Sequence, residues 1–102
     1  MVIEWLKFKI DPESRETFIE KDNQIWTAAL APYPGFLGKE VWINPHIPDE
    51  IVLVIHWETR QQWSAVPNSV LEETERQFRE EMGKDQYQLV ETKEYQVRKF
   101  IN

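Results

Sequence analysis

The stretch EIVLVIHWETRQQWSAVP, from Glu50 to Pro67, contains the most apolar segment of the chain. From Ile51 to Trp57 nearly every residue is β-branched, aliphatic or aromatic. A strand with one face in water alternates apolar and polar side chains, whereas an almost unbroken apolar run indicates a strand covered on both faces. We therefore predict a buried strand here. A helix is predicted to follow at Thr59, because Thr59 and Gln62 have the spacing of a capping box.

The pattern of the remaining residues predicts three further strands and two further helices. Ser69 and Glu72 have the spacing of a second capping box, and Gly83 is a typical helix stop. On the second strand, Phe36 and Trp42 are predicted on one face and Val41 on the other. The predicted elements are, in order, a strand over 2–10, a helix from about 12 to 31, a strand over 36–44, the buried strand, a helix interrupted at Pro67, and a strand over 86–101 with a bulge.

The order strand, helix, strand, strand, helix, strand is that of the ferredoxin-like βαββαβ arrangement. Such a fold is α+β, with helices on one face of a four-stranded antiparallel sheet. The length of 102 residues suits a single domain over 1–102. Because helices cover only one face, the apolar side chains of Trp5, of Phe36 or Trp42, and of Val54 need another cover. A second copy laid sheet against sheet supplies it, so we predict a homodimer.

Composition excludes several classes of function. The formal net charge is -6 and the sequence pI is about 4.9, which argues against binding nucleic acid or an anionic membrane surface. The chain has no cysteine, so disulfides and thiolate chemistry are excluded. The longest apolar run is far shorter than the roughly 20 residues that span a bilayer. No signal sequence precedes the first strand, so we expect a cytoplasmic protein.

Several residues between 34 and 67 resemble those of a known family. Pro34-Gly35-Phe36, then Trp57-Glu58-Thr59 after the apolar strand, then Trp63 and Pro67 are similar to the antibiotic biosynthesis monooxygenase type of dimeric α/β barrel. The resemblance implies a small dimeric enzyme that oxygenates an aromatic molecule held between helices and sheet. It also implies that Trp63 corresponds to the family's helix tryptophan, which lines that pocket.

Two positions depart from the family pattern. Leu6 stands at about the place of a first-strand asparagine used by cofactor-independent and haem-degrading members, and a leucine side chain cannot hydrogen-bond a substrate. The haem-binding histidine would fall near Glu73 or Thr74, neither of which is an imidazole. Haem degradation of the known type is therefore not expected. No metal or flavin motif is present either, so we expect no cofactor.

The candidate substrate-binding residues are apolar side chains predicted to lie between helices and sheet. Trp63 and Trp57 can line a pocket for a flat apolar ligand. The alternative is that these side chains simply fill the space between helices and sheet, which would favour a scaffold. The full candidate set is Trp63, Trp57, Leu6, Trp26 and Phe78.

Two titratable residues are candidates for acid–base catalysis. Glu4 lies on the otherwise apolar face of the first strand, where apolar surroundings would raise the pKa of its carboxyl group. Alternatively, Glu4 lies near the end of the sheet and reaches water. His56 is a candidate general base or ligand-orienting group inside the barrel, since imidazole titrates near neutrality. Its alternative role is a hydrogen-bonded histidine at the dimer interface.

Two functions from different classes remain open. The first is a cofactor-independent, monooxygenase-like enzyme acting on a small aromatic molecule. The second is a non-catalytic dimer that binds a small apolar ligand or serves as an interaction scaffold. A pocket beside Trp63 that contains His56 or Glu4 would favour the enzyme.

Overall fold

Four antiparallel strands form one sheet in the computed structural model, which describes residues 1–83 and 85–101. The strands are β1 (Val2–Ile10), β2 (Phe36–Trp42), β3 (Glu50–Trp57) and β4 (Tyr87–Gln96), in the spatial order β2-β3-β1-β4. All three pairings are antiparallel. This order confirms the predicted α+β, ferredoxin-like arrangement, in which the apolar strand β3 and the first strand are central.

The first helical region has an unusual interior. It begins with a 3-10 turn (Pro12–Ser14) and continues as α1 (Arg15–Asp22), a π-helical segment (Asn23–Thr27) and α2 (Ala28–Leu30). Asp11 caps the start, because its Oδ1 accepts a hydrogen bond of 2.9 Å from the amide of Glu13. The predicted helix is thus confirmed in position, but the π-helical segment was not predicted. Segments of this kind are rare and occur often at functional sites.

Two helices follow β3. The helix α3 (Arg60–Ser64) begins as predicted, with Thr59 Oγ1 accepting the amide of Gln62 at 3.1 Å. The helix α4 (Asn68–Met82) begins before Ser69, so the second predicted capping box is wrong. The carbonyl oxygen of Pro67 instead accepts hydrogen bonds from the amides of Val70 and Leu71. Gly83 ends α4 with φ of +93°, as predicted from the sequence.

A bulge at the start of β2 overturns the predicted faces of that strand. The register with β3 shifts between Phe36 and Gly38, where Gly38 has φ of +147°. After the shift, Phe36 and Val41 both pack in the helix-covered core, whereas Trp42 lies on the opposite face. The sequence analysis assumed uninterrupted alternation and therefore placed Phe36 with Trp42. One extra residue reverses that assignment.

The last strand is shorter than predicted. It ends at Gln96, and residues 97–101 continue without regular structure. A register shift opposite Lys7 and Phe8 confirms the predicted bulge. The amide of Val97 donates to the carbonyl of Met1, and the ring of Phe100 lies 6.5 Å from that of His56. The C-terminal segment therefore lies beside the sheet face opposite the helices.

Apolar side chains are buried on both faces of the sheet. The larger core lies under the helices and includes Trp57, Phe18 and Phe78. On the other face, Val52 and Val54 are 6% and 2% exposed within the single chain, packed with Ile3, Trp5 and Val97. The strand prediction is confirmed, but β3 does not need a second copy to bury it. The remaining exposed apolar surface on that face lies around it, at Trp42, Tyr95 and Phe100.

Among residues 1–83 and 85–101, no helix is both long and apolar enough to cross a membrane.

Candidate functional site

A cavity of about 810 Å³ lies between the helices and the sheet. Its volume falls within the range of about 300–1,000 Å³ that is common for small-molecule sites. Every candidate substrate-binding residue of the sequence analysis lines it, namely Trp63, Trp57, Leu6, Trp26 and Phe78. Trp57 and Phe78 are also almost fully buried in the core, at 1% and 2% exposed, so the packing alternative still accounts for these two side chains. Their contact with a ligand stays a prediction.

Each wall of the cavity comes from a different element. Leu6 on β1 and Trp57 on β3 form part of the floor, because their side chains point to the helix-covered face. Trp26 belongs to the π-helical segment, Trp63 to α3 and Phe78 to α4. Two of these rings, Phe78 and Trp57, are held edge to face by neighbouring aromatic rings, with the Phe78 and Phe18 centroids 5.1 Å apart. Such packing gives the apolar walls fixed positions.

Trp63 carries a cation on one face. The guanidinium carbon of Arg60 lies 3.8 Å from the centroid of the Trp63 ring, and Arg60 Nε donates to Glu94 Oε1 at 3.2 Å. Arg60 therefore links the indole of α3 to β4 across the sheet. Stacking of this kind is attractive because the ring face is electron-rich. It limits the orientations that the Trp63 ring can adopt.

Glu4 is one of the carboxylate side chains that line the cavity. It lies on the helix-covered face of β1, opposite Ile55 of β3, and its Oε1 accepts a hydrogen bond of 3.3 Å from Trp57 Nε1. Burial raises the pKa of the Glu4 carboxyl group above 4.5, and the Trp57 hydrogen bond and the charges of Lys39 and Arg60 only partly offset this. The structure thus places Glu4 inside the pocket, where its proton affinity is increased.

His56 lies on the opposite face of the sheet. Its Nε2 is 2.5 Å from Glu40 Oε1, and its Nδ1 is 3.3 Å from the sulfur of Met1. It does not line the cavity, because neighbouring residues of a strand point to opposite faces and Trp57 points inward. The structure therefore separates the two acid–base candidates. The geometry supports the hydrogen-bonded alternative for His56.

A buried ion pair also lines the cavity, and the sequence analysis missed it. Lys39 Nζ lies 2.9 Å and 3.0 Å from the two carboxylate oxygens of Asp22, and the side chains are 5% and 2% exposed. Burial raises the pKa of Asp22, against the opposing charge and hydrogen bond of Lys39. Two signals could have found the pair. Lys39 shares the parity of Val41, and Asp22 stands four residues after Phe18 and four before Trp26.

We expect Lys39→Met to lower the free energy of unfolding by about 3–5 kcal/mol, because it leaves the Asp22 carboxylate buried without a counter-ion. Urea denaturation at pH 7 measures this loss. The matched control is the double variant Asp22→Asn/Lys39→Met, which removes both charges and should lose much less. Equal losses in the single and double variants would contradict the account of the pair.

The side chains that line this cavity do not fit haem. The described lining residues include no histidine, cysteine or methionine, which are common axial ligands of haem iron. The cavity does contain the Tyr87 hydroxyl, which donates a hydrogen bond of 2.7 Å to Glu75 Oε2. Burial and the neighbouring Glu75 raise the pKa of Tyr87, so the phenolate that would ligate iron is disfavoured.

Solved structures with the same fold include proteins of several kinds. A cofactor-independent oxygenase, SnoaB from Streptomyces nogalater, superposes with a TM-score of 0.68 at 14% identity, covering 98% of this chain and 95% of that one. The heme-degrader MhuD from Mycobacterium tuberculosis, with two hemes in its active site, gives 0.75 at 18% identity over the full length of both chains. A conserved protein from Methanosarcina mazei Go1 gives 0.66 at 13% identity, covering 95% and 92%.

Sequence comparison identifies the family. No curated protein matches the chain in sequence. The sequence profile described as antibiotic biosynthesis monooxygenase matches residues 1–70, which include β1, β2, β3, α3 and the first helical region. This match covers more than half of the chain and includes the Trp57 and Trp63 segment that suggested the same family. The chain therefore belongs to the antibiotic biosynthesis monooxygenase family.

Proposed function

We propose that this protein is a cofactor-independent oxygenase of a small aromatic molecule, which binds in the cavity between the helices and the sheet. The observation that carries the proposal is the location of Glu4, a partly buried carboxyl group with a raised pKa, at the wall of an aromatic-lined cavity. A general base must lie within reach of the proton that it removes, and its proton affinity must be sufficient. Glu4 lines the space beside Trp57 that such a ligand would occupy, and burial increases its proton affinity.

The reaction balances without an external reductant. An activated ring methylene loses one proton to Glu4 and the resulting carbanion adds to molecular oxygen. Return of the proton gives a hydroperoxide, which loses water and leaves a carbonyl group. One oxygen atom enters the product and the other leaves as water, while the ring carbon is oxidised and oxygen is reduced. In this scheme the apolar side chains of the cavity hold the ring and exclude water, namely those of Trp63, Trp26, Phe78 and Leu6.

A single observation favours the second candidate, a binding protein without catalysis. Leu6 occupies the cavity floor about where the family resemblance places an asparagine, so this position offers no hydrogen bond to a substrate. The two candidates differ in oxygen consumption. Both require a ligand in the same cavity.

We also propose that the protein functions as a homodimer through the sheet face opposite the helices. Support comes from the exposed apolar side chains on and beside that face. Trp42 is 48% and Tyr95 49% exposed, and Phe100 is 53% exposed. An apolar surface of this kind is a frequent mark of an interface. A second copy would bury these rings together with the His56–Glu40 pair.

The test of the proposed reaction uses anthrone, a planar tricyclic ketone with one acidic ring methylene. The protein should convert anthrone and oxygen to anthraquinone and water in a one-to-one ratio, measured with an oxygen electrode and by chromatography. Mass spectrometry of compounds that co-purify with the protein identifies the natural ring system in parallel. Tight binding of planar aromatics without oxygen consumption would reject the enzyme in favour of the binding protein.

We expect Trp63→Ala to weaken the binding of a planar aromatic by about tenfold or more, because a buried ring of this size contributes about 1.5–3 kcal/mol to packing. Titration calorimetry with anthrone measures the change. Trp42→Phe is the control, since Trp42 lies on the other face of the sheet and its substitution should leave the affinity unaltered. Unchanged affinity in Trp63→Ala would place the ligand elsewhere.

A further inference from the structure

The buried ion pair stands at the same part of the cavity as Glu4. Ile55 of β3 pairs with Glu4 on one side and with Lys39 of β2 on the other. Neighbouring strands are about 4.8 Å apart, so the Cα atoms of Glu4 and Lys39 are separated by about 10 Å. All three side chains belong to the helix-covered face and line the cavity. A planar ring lying over Ile55 would have a carboxyl group at one edge and an ammonium group at the other.

Lys39 retains the capacity to bind a ligand. Its ammonium group has three N–H donors, and the two Asp22 oxygens are its only hydrogen-bond partners among residues 1–83 and 85–101. Asp22 in turn ends α1, immediately before the π-helical segment that carries Trp26. Burying such a pair is often no more stabilising than apolar packing. Its presence in a cavity therefore calls for a role other than stability.

We propose that Lys39 binds the oxygen atom on which negative charge develops when the bound aromatic molecule is deprotonated, and that Asp22 is the positioning residue that holds Lys39 there. This inference rests on the proposed function, since it concerns the same ligand. The inference gives Lys39 an electrostatic role on the side of the ring opposite Glu4, the proposed base. In a ring with a carbonyl group, the electron pair released by C–H ionisation moves to the carbonyl oxygen, which then accepts an N–H bond from Lys39.

The charges around the cavity indicate that the ligand enters as a neutral acid. Transfer of a proton from a neutral ligand to Glu4 leaves the total charge of the cavity unchanged, whereas entry of an anion adds a charge beside existing carboxylates. Carboxylates outnumber cations in the lining. The charged and titratable groups that face this space are Glu4 of β1, Lys39 of β2, Asp22 of α1, Glu72, Glu75 and Arg79 of α4 and Tyr87 of β4, with Arg60 and Glu94 near Glu4.

The test measures the ionisation of a bound chromophore. 4-Nitro-1-naphthol absorbs at longer wavelength when ionised, and its methyl ether cannot ionise. We expect the ratio of ionised to neutral naphthol in the complex to be about tenfold higher than in free solution at the same pH, equivalent to one pKa unit. This increase should disappear in Asp22→Asn/Lys39→Met and be reduced in Asp22→Asn. It should persist in Lys39→Arg and in the control Lys21→Met, since Lys21 pairs with Glu81 outside the cavity.

Each result bears on the inference. A bound naphthol that is no more ionised than in solution would overturn it while leaving the proposed function standing, as would equal ionisation in the wild type and the double variant. Glu4→Gln separates the two proposals further, because it should retain ionised naphthol yet lose anthrone oxidation. If neither the naphthol nor its methyl ether binds, the aromatic cavity of the proposed function fails, and the role of Lys39 fails with it.

Discussion

Glu4→Gln is expected to reduce the rate of anthrone oxidation by about 10²–10⁴-fold, the usual contribution of a general base. Glutamine has nearly the same shape and keeps an oxygen that can accept the Trp57 hydrogen bond, but it cannot take a proton from the ligand. Binding of anthrone should therefore change by no more than a few-fold. The decisive measurement is kcat with oxygen consumption and product formation followed together, at a ligand concentration well above KM.

The pH dependence of stability provides the control for this variant. Because burial raises the pKa of Glu4, the folded state binds its proton more tightly than the unfolded chain does. The proton on Glu4 stabilises the folded state at pH values below 4.5, the ordinary pKa of this group. This stabilisation is lost as the pH rises through the higher pKa of the folded state. Glu4→Gln should thus gain Tm relative to the wild type between pH 4 and pH 7. A variant that is less stable at pH 7 than at pH 4, relative to the wild type, would contradict this account of Glu4.

Trp42→Glu is expected to raise the dissociation constant of the proposed dimer by at least about 30-fold. The half-exposed indole of Trp42 lies on the sheet face opposite the helices, and a buried aromatic at the centre of an interface often contributes 2 kcal/mol or more. A glutamate there would place a charge against apolar rings of the partner copy. Sedimentation equilibrium of wild type and variant over a range of concentrations gives both constants.

A matched control separates the interface from general surface effects. Ile47 is 40% exposed in the hairpin loop between β2 and β3, so Ile47→Glu introduces the same charge away from the proposed interface. It should leave the dissociation constant unaltered. A wild-type protein that remains monomeric at high concentration would reject the homodimer, and equal effects of the two substitutions would reject this face as its interface.

Local patterns predicted most of the fold. The unbroken apolar run of β3, the Asp11 and Thr59 caps and the Gly83 stop are all signals carried within a few residues. Alternation along β1 was sufficient to place Glu4 on the helix-covered face, because β1 has no bulge of its own within the pairing to β3. Where a bulge interrupts β2, the same alternation gave the wrong face for Phe36.

The candidate site could be predicted only in part. Its apolar residues were predicted because Trp, Phe and Leu at helix or strand spacing are typical of the space between helices and a sheet. The ion pair was missed because Asp22 and Lys39 are ordinary surface residues by type, 17 positions apart in the chain. Strand parity and helical spacing direct each side chain toward the helix-covered face, but neither local sequence states that the two meet there. His56 was kept as a barrel-interior candidate even though its parity opposite to that of Trp57 argues for the other face.

The amino-acid sequence by itself determined the order of strands and helices, the antiparallel sheet and the family, since these follow from hydrophobic period, turn residues and a short run of characteristic side chains. Tertiary structure alone decided that the space under the helices is a cavity, that Glu4 lines it and that Lys39 faces Glu4 across Ile55. The physical reason is that burial and charge proximity depend on which elements lie side by side. Those relations join residues far apart in the chain, and local periodicity does not encode them.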